Sequence, residues 1–176
     1  MNSSVIYFSK VKPDAIIPTK REEDAGYDIY ANFEEEYISI FPHETVMIPT
    51  GIASAFSNDY VMILKERGST GTKGIAQRCG VIDSGFRDEW KVPITNTTEH
   101  KLVIVKFFTD ENEKQEQIEY LHRMYDYDSI LYPYKKAITQ AVLLPIPKVY
   151  VNEIPYEKLL AIKSERRTGM LGSSGK

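Results

Sequence analysis

Apolar residues in this chain recur at period two far more often than at the helical period. Val5–Val11 alternates loosely up to Pro13, and short runs follow at Tyr37–Phe41, Thr45–Ile48, Tyr60–Lys65, Trp90–Thr95 and Leu102–Phe108. Pro42, Gly51, Asn58-Asp59 and Asn96 punctuate them. Short strands separated by turn residues predict an all-β sandwich, jelly roll or barrel, not a βαβ fold. Lys136–Pro145 returns to strand character, and Val149–Ile154 reads as the last strand. One segment breaks the pattern: Asp110–Tyr125 opens charged, then carries Ile118, Leu121 and Tyr125 at helical spacing. It predicts a helix-bearing insertion, with Asp110 placed to cap the helix. The stretch YDYDSILYPYKK after it reads either as a partner-binding surface or as an excursion packed on its own body. Tyr156–Ile162 predicts a helical turn, and the glycine- and serine-rich end of the chain cannot pack a core by itself.

Composition narrows the classes without naming one. A chain of 176 residues, 42% hydrophobic and 27% charged, suits a single globular domain with a real core. A net charge of −3 leaves no footprint for duplex nucleic acid, so an anionic ligand has to be met by local charge. The single cysteine, Cys79, excludes an intrachain disulfide and suits a reducing compartment. Scattered His43, His100 and His122 do not complete a zinc site with it. No apolar run approaches a membrane span, and the first residues lack the order of a signal peptide. The expectation is a cytoplasmic protein with no membrane and no nucleic-acid partner.

Five segments carry candidate chemistry, and each also has a plainer reading. In Ala25–Ile29, AGYDI, a glycine allows a tight turn and Asp28 projects from a strand, either to hold a cation or arginine or simply into water. Glu66–Gly74, ERGSTGTKG, is either a polar strand-end loop or a phosphate-binding one, in which glycines admit backbone N–H groups and Arg67 grips two oxygens. It lacks the spacing of a Walker loop. In Gly80–Trp90, GVIDSGFRDEW, Asp83 stands between an apolar run and a Ser-Gly turn. That is where a general base at a pocket mouth sits, and equally where an ordinary hairpin turn places an aspartate. Gln140 is the polar exception in KAITQAVLLP, either a satisfied core amide or a ligand donor. The tail SERRTGMLGSSGK combines glycines, hydroxyls and arginines, as a closing lid does and as a frayed terminus does.

Taken together and in this order, AGYDI, ERGSTGTKG, GVIDSGFRDEW, KAITQAVLLP and RRTGMLGSSGK resemble the trimeric deoxyuridine triphosphatase (dUTPase) family. The resemblance runs from about Ala25 to Lys176, apart from the insertion at 109–134. It implies a distorted jelly-roll β-barrel over residues 1–155, a small helical insertion, and a flexible C-terminal arm over 156–176 that closes on a neighbouring subunit. It implies a homotrimer with active sites at subunit contacts, Mg²⁺ as cofactor, and hydrolysis of dUTP to dUMP and pyrophosphate. By position, Asp83 would activate the attacking water at the α-phosphorus. Asp28 would orient the metal through water or fix Arg67. Arg67, Gly68, Ser69, Thr70 and Gln140 would bind phosphate, joined by Arg166, Ser173 and Ser174 when the arm closes. Gln77, Gly80, Val81 and Ile82 would read uracil, Phe86 would pack under the deoxyribose, and Leu171 would cover the base.

The chain departs from the family pattern at several positions. Gly68 separates Arg67 from Ser69, leaving Ser69 or Thr70 as the hydroxyl on phosphate. Phe86 stands where the family has Tyr, Asp88 where it has Gly, and Leu171 where it has a stacking aromatic. Ala137-Ile138-Thr139-Gln140 lacks the usual arginine. Two other readings belong beside the enzyme: a related dCTP deaminase, disfavoured because Glu89 lacks its surrounding pattern, and a phage-type regulator whose insertion binds a protein.

Overall fold

The computed structural model of the chain describes residues 5–106, 111–124 and 128–164. The chain divides into two compact units, Met1–Ile146 and Pro147–Lys176. The first unit is almost entirely β. Its strands are β1 (Tyr7–Lys10), β2 (Gly26–Ile29), β3 (Tyr37–Ile40), β4 (Thr45–Pro49), β5 (Ile52–Ala55), β6 (Tyr60–Lys65), β7 (Ile75–Gln77), β8 (Val81–Ile82), β9 (Lys91–Asn96), β10 (Lys101–Val105), β11 (Ser129–Pro133) and β12 (Thr139–Pro145). One helical turn, α1 (Gly68–Gly71), follows β6, and α2 (Glu111–Met124) interrupts the order between β10 and β11. The second unit holds α3 (Tyr156–Ala161), opened by Pro155. The all-β expectation therefore holds, with a few short helices.

The strands form small sheets ordered β1-β5, β11-β10-β3, β2-β12-β6-β8 and β4-β9-β7. They enclose one main core, which includes Ile29, Ile40, Ile48, Met62, Trp90, Val92, Ile94, Leu102 and Ile104. Trp90 is fully buried, with Phe8 edge-on to it at 5.7 Å between ring centroids. Alternation along β10 sends Leu102 and Ile104 into this core and leaves Val103 and Val105 in a second cluster with Leu131.

Three strands escape the alternation rule. β5 is buried at Ile52, Ala53 and Ser54 alike, so its sequence IASA shows no polar face. β7 is only Ile75–Gln77. β11 lies inside the tyrosine-rich stretch and pairs in parallel with β10, so the insertion closes a local β–α–β unit within an otherwise antiparallel fold. The predicted helix appears as α2, while its proposed cap Asp110 lies outside the described residues. Val149–Ile154 is not a strand, contrary to its apolar pattern. Its residues are exposed, and among the described residues no strand pairs with it, so its apolar pattern finds no ladder to join. Among the described residues no helix is long and apolar enough to cross a membrane.

Candidate functional site

Strand β12 brings three distant segments together. It pairs antiparallel with β2 on one side and β6 on the other, so Gln140 lies opposite both Asp28 and Lys65. The chain leaves β6 at Glu66 and Arg67 and enters α1, which sets the glycine-hydroxyl loop beside the AGYDI strand. Arg67 then grips Asp28 with two bonds: Nε to Oδ1 at 3.0 Å and Nη2 to Oδ2 at 3.3 Å. Its Nη1 also donates to Ser69 Oγ and to the Ala137 carbonyl, each at 3.3 Å. The paired side chains keep 30% and 34% of their surface exposed, so a ligand can reach them. Gln140 Nε2 donates to the Glu66 carbonyl at 2.9 Å. Gly26 lies diagonal to Gln140 across the ladder, and a Cβ there would come 2.5 Å from Oε1, so a larger residue would displace that amide.

These residues line a cleft of about 710 Å³ together with Thr19, Lys20, Arg21, Asp24 and Gly68. The charged loop Lys20–Asp24 reaches the cleft because Thr19 bridges to Asp28, whose N–H donates to the Thr19 carbonyl at 2.9 Å. The pattern of the sequence marked this loop only as charged, since nothing local shows which strand it will bridge.

The two hydroxyls after Arg67 have different surroundings. Thr70 is buried, accepting from the Arg67 N–H and donating to the Arg67 carbonyl, both at 3.0 Å. Its oxygen braces the turn. Ser69 is exposed on the cleft wall and touches the guanidinium. A further residue went unread. Tyr132 on β11 is buried, and its phenol donates to the Ala137 carbonyl at 2.6 Å, the same oxygen that receives Arg67 Nη1. Burial pushes the phenol above its usual range, partly offset by the neighbouring guanidinium. Alternation within SILYP, once seen to pair with β10, would have pointed Tyr132 inward alongside Leu102 and Ile104.

Asp83 occupies a different place. It is exposed at the start of a turn closed by Phe86 N–H to the Asp83 carbonyl at 3.0 Å. With Met47, Val81, Ile82, Phe86, Asp88, Glu89 and Lys91 it lines a hollow of about 290 Å³, which shares no lining residue with the Arg67 cleft. Arg87 was not anticipated and pins this turn, donating from Nη1 to the carbonyls of Ser54, Ser84 and Phe86. The segment before Asp83 is a narrow hairpin. Val81 and Ile82 pair with Ile63 and Met62, and the Gly80 carbonyl accepts from Leu64 at 2.7 Å. Gly80 has φ +146°, and a Cβ on it would sit 2.9 Å from the Leu64 carbonyl, so both conformation and space demand glycine. Gln77 turns its amide inward, donating to the carbonyls of Arg78 and Cys79, and its N–H donates to Glu66 Oε1 at 3.1 Å.

One chain thus brings together Asp28, Arg67, Gly68, Ser69 and Gln140 in one cleft, and Val81, Ile82, Asp83 and Phe86 in another hollow. Gln77, Gly80 and Thr70 support the turns between. Arg166, Leu171, Ser173 and Ser174 lie outside the described residues. Among the described residues no group of three or more His, Cys, Asp or Glu side chains could hold a metal ion. Asp24 and Asp28 are the carboxylates lining the cleft, each paired with an arginine. That fits a divalent ion carried mainly by waters and by a ligand's phosphates, and not a protein-caged one.

The dUTPase family profile matches residues 12–107. Among curated relatives, the deoxyuridine 5'-triphosphate nucleotidohydrolase of Gloeobacter violaceus is 27% identical over 155 residues, covering 86% of this chain and 83% of that one. The enzyme of the same name from Leptospira interrogans is 28% identical over 103 residues, covering 56% and 70%. Among solved structures, a mutant dUTPase of Staphylococcus bacteriophage 80alpha with dUpNHpp superposes with a TM-score of 0.70, at 21% identity over the whole of both chains. A mutant dUTPase from phage phi11 of S. aureus, described with a structural Mg(II) ion, gives 0.62 at 18% identity, covering 85% and 96%.

Proposed function

This chain belongs to the dUTPase family, and on that premise we propose how its residues perform dUTP diphosphatase chemistry. The enzyme hydrolyses dUTP to dUMP and pyrophosphate. The observation that carries the assignment of roles is the cleft in which Arg67 is forked onto Asp28 with Ser69 and Gln140 beside it. A guanidinium held this way presents its remaining edge to anionic oxygens in a fixed orientation. Ser69 and the Gln140 amide add neutral donors, so phosphate oxygens meet a preorganised wall and the chemistry is chiefly positioning and electrostatics.

Asp83 acts as the base that takes a proton from the water attacking the α-phosphorus. Its exposed carboxylate stands on a turn stiffened by Arg87, and Phe86 beside it offers an apolar floor for the deoxyribose. Backbone groups of the hairpin at Gly80–Ile82 match the uracil edge, and a cytosine amino group would oppose them. Mg²⁺, when bound, neutralises phosphate charge. Asp28 would hold it through water while keeping Arg67 in place.

The separation of the Asp83 hollow from the Arg67 cleft supports a site in which one protomer supplies Asp83 and its neighbour supplies Arg67, and the family resemblance makes that assembly a homotrimer. Arg166, Leu171, Ser173 and Ser174 would arrive on the arm at 156–176. A second role follows from the insertion. α2 turns Glu113, Glu116, Glu119 and Tyr120 outward, so a protein partner would meet an acidic, tyrosine-bearing face. The single cysteine and the absence of a spanning helix among the described residues suit a cytoplasmic setting.

Incubation with dUTP, dCTP and UTP plus Mg²⁺, reading pyrophosphate and ammonia, tests the assignment. Pyrophosphate from dUTP alone supports it, ammonia from dCTP points to a deaminase, and no turnover points to a regulator. Asp83→Asn should abolish turnover while retaining nucleotide binding; retained activity means the base lies elsewhere.

A further inference from the structure

The free edge of β7, just before the hairpin at Gly80–Ile82, is closed by a side chain that lines neither hollow. β7 is the outer strand of β4-β9-β7. The Arg78 N–H donates to the Pro93 carbonyl at 2.9 Å, so alternation along this antiparallel pair turns the Gln77 N–H away from β9, toward the open edge. There Glu66 Oε1 accepts it at 3.1 Å. Glu66 is partly buried and belongs to the lining of neither the Arg67 cleft nor the Asp83 hollow.

A line of contacts runs on from Gln77. Its amide donates to the carbonyls of Arg78 and Cys79. The same amide lies under Gly80, where an added Cβ would come 3.3 Å from Nε2. Cys79 has φ +54° and Gly80 has φ +146°. A cysteine stays in the left-handed region only where its surroundings hold it there. The Leu64 N–H fastens the Gly80 carbonyl at 2.7 Å. The tip Arg78–Gly80 is therefore tied down from β6 and the residue that follows it, and the Glu66 tie is the one made to a carboxylate, the stronger kind of hydrogen bond. Glu66 meets the phosphate side only through its backbone, whose carbonyl accepts Gln140 Nε2 at 2.9 Å. Changing its side chain removes the tie to β7 and leaves that bond in place.

We propose that Glu66 is a positioning residue for base recognition: by holding Gln77, its carboxylate fixes the Arg78–Gly80 tip and, with it, the backbone groups of Gly80–Ile82 that meet the base. This rests on the reading of that hairpin as the uracil-binding edge. Uracil and cytosine differ in the donors and acceptors they present, and only a backbone that keeps its place leaves the wrong base unpaired.

Glu66→Ala and Glu66→Gln remove the same charge, and only glutamine keeps a side-chain oxygen that can accept the Gln77 N–H. Calorimetry with dUpNHpp, with its cytosine counterpart and with inorganic triphosphate reads base and tail separately and needs no turnover. Wild type should prefer the uracil compound. Glu66→Ala should bind dUpNHpp roughly three- to tenfold more weakly, within what one hydrogen bond is worth, and its preference over cytosine should narrow by a similar factor. Its affinity for triphosphate should match wild type, and Glu66→Gln should match wild type with all three ligands. Gln77→Leu cuts the next tie and should narrow the preference to the same extent. Equal losses in Glu66→Ala and Glu66→Gln make the effect one of charge and overturn the inference. So does a loss shared by triphosphate, an unchanged uracil preference in Glu66→Ala, or a wild type without that preference. A wild-type protein that prefers dUpNHpp yet releases no pyrophosphate from dUTP sinks the hydrolytic reading alone.

Discussion

Gly26→Ala is a small change with a large, local consequence. Gly26 lies in β2 with no left-handed φ, so alanine meets no backbone strain there. The obstacle is Gln140 across the ladder. A Cβ would come within 2.5 Å of Gln140 Oε1, 3.0 Å of its Cβ and 3.1 Å of its Cδ. Rotation of the amide relieves the first contact and breaks the Gln140–Glu66 bond of 2.9 Å. The contact to Cβ remains, and the two strands must part by a few tenths of an ångström. The lost hydrogen bond costs about 1 kcal/mol. The alanine returns ~0.4–1 kcal/mol by restricting the unfolded chain. The two nearly cancel, so Tm should move by no more than about 4 °C. Activity should not be spared. A donor displaced by about 1 Å from a phosphate site is expected to lower kcat/KM for dUTP roughly 10- to 100-fold. Steady-state pyrophosphate release measures this directly, and a double-mutant cycle identifies the route. In a Gln140→Ala background Gly26→Ala should add less than about threefold, because the group it displaces is gone. Wild-type kcat/KM in Gly26→Ala, or losses that multiply fully in the double variant, would refute a role for the Gln140 amide in the cleft.

Tyr132→Phe removes the phenol that shares the Ala137 carbonyl with Arg67. Tm should fall a few degrees for about 1 kcal/mol of lost bonding, and kcat/KM should drop roughly tenfold as the guanidinium loosens; a falling Tm with unchanged kcat/KM breaks the proposed link. Thr70→Val and Ser69→Ala should separate structure from chemistry. Thr70→Val takes its acceptor from the part-buried Arg67 N–H, costing about 1 kcal/mol seen as a lowered Tm. Ser69→Ala, exposed on the cleft, should leave Tm in place and lower kcat/KM roughly tenfold; the opposite pattern would assign phosphate contact to Thr70.

Local rules marked Asp28, Arg67, Ser69 and Gln140 as candidates, each with a plainer reading beside it, and the order of the motifs in the family made them one expected site. The structure brings these four to one cleft, while the fifth motif lies outside the described residues. What local rules could not show was adjacency. Gln140 is 74 residues from Glu66, and only the antiparallel register of β12 with β6 brings its amide to that carbonyl. The Lys20–Asp24 loop and Tyr132 were unread for the same reason. One depends on a single bridge between Thr19 and Asp28, the other on a parallel pairing across the insertion. Neither contact leaves a periodic trace, because period reports which face a residue takes and not which strand it meets. Val149–Ile154 shows the converse: its apolar pattern promised a strand, and among the described residues no partner strand meets it.

The division of the candidate residues between two hollows follows from the same ladders. β12 ties Asp28 to the Arg67 end of β6, while β8 pairs with β6 at Met62 and Ile63, several residues earlier, and turns Asp83 away into its own hollow. The Asp83 hollow and the Arg67 cleft share no lining residue within one chain, so the site proposed above would draw them from two copies. Two copies can do what one cannot, provided the hollow of one faces the cleft of the other. Each protomer then needs an exposed carboxylate and an exposed guanidinium on separate faces, both rigid before assembly. The Arg87 clamp on the Asp83 turn and the Ala137 carbonyl under Arg67 supply that rigidity independently.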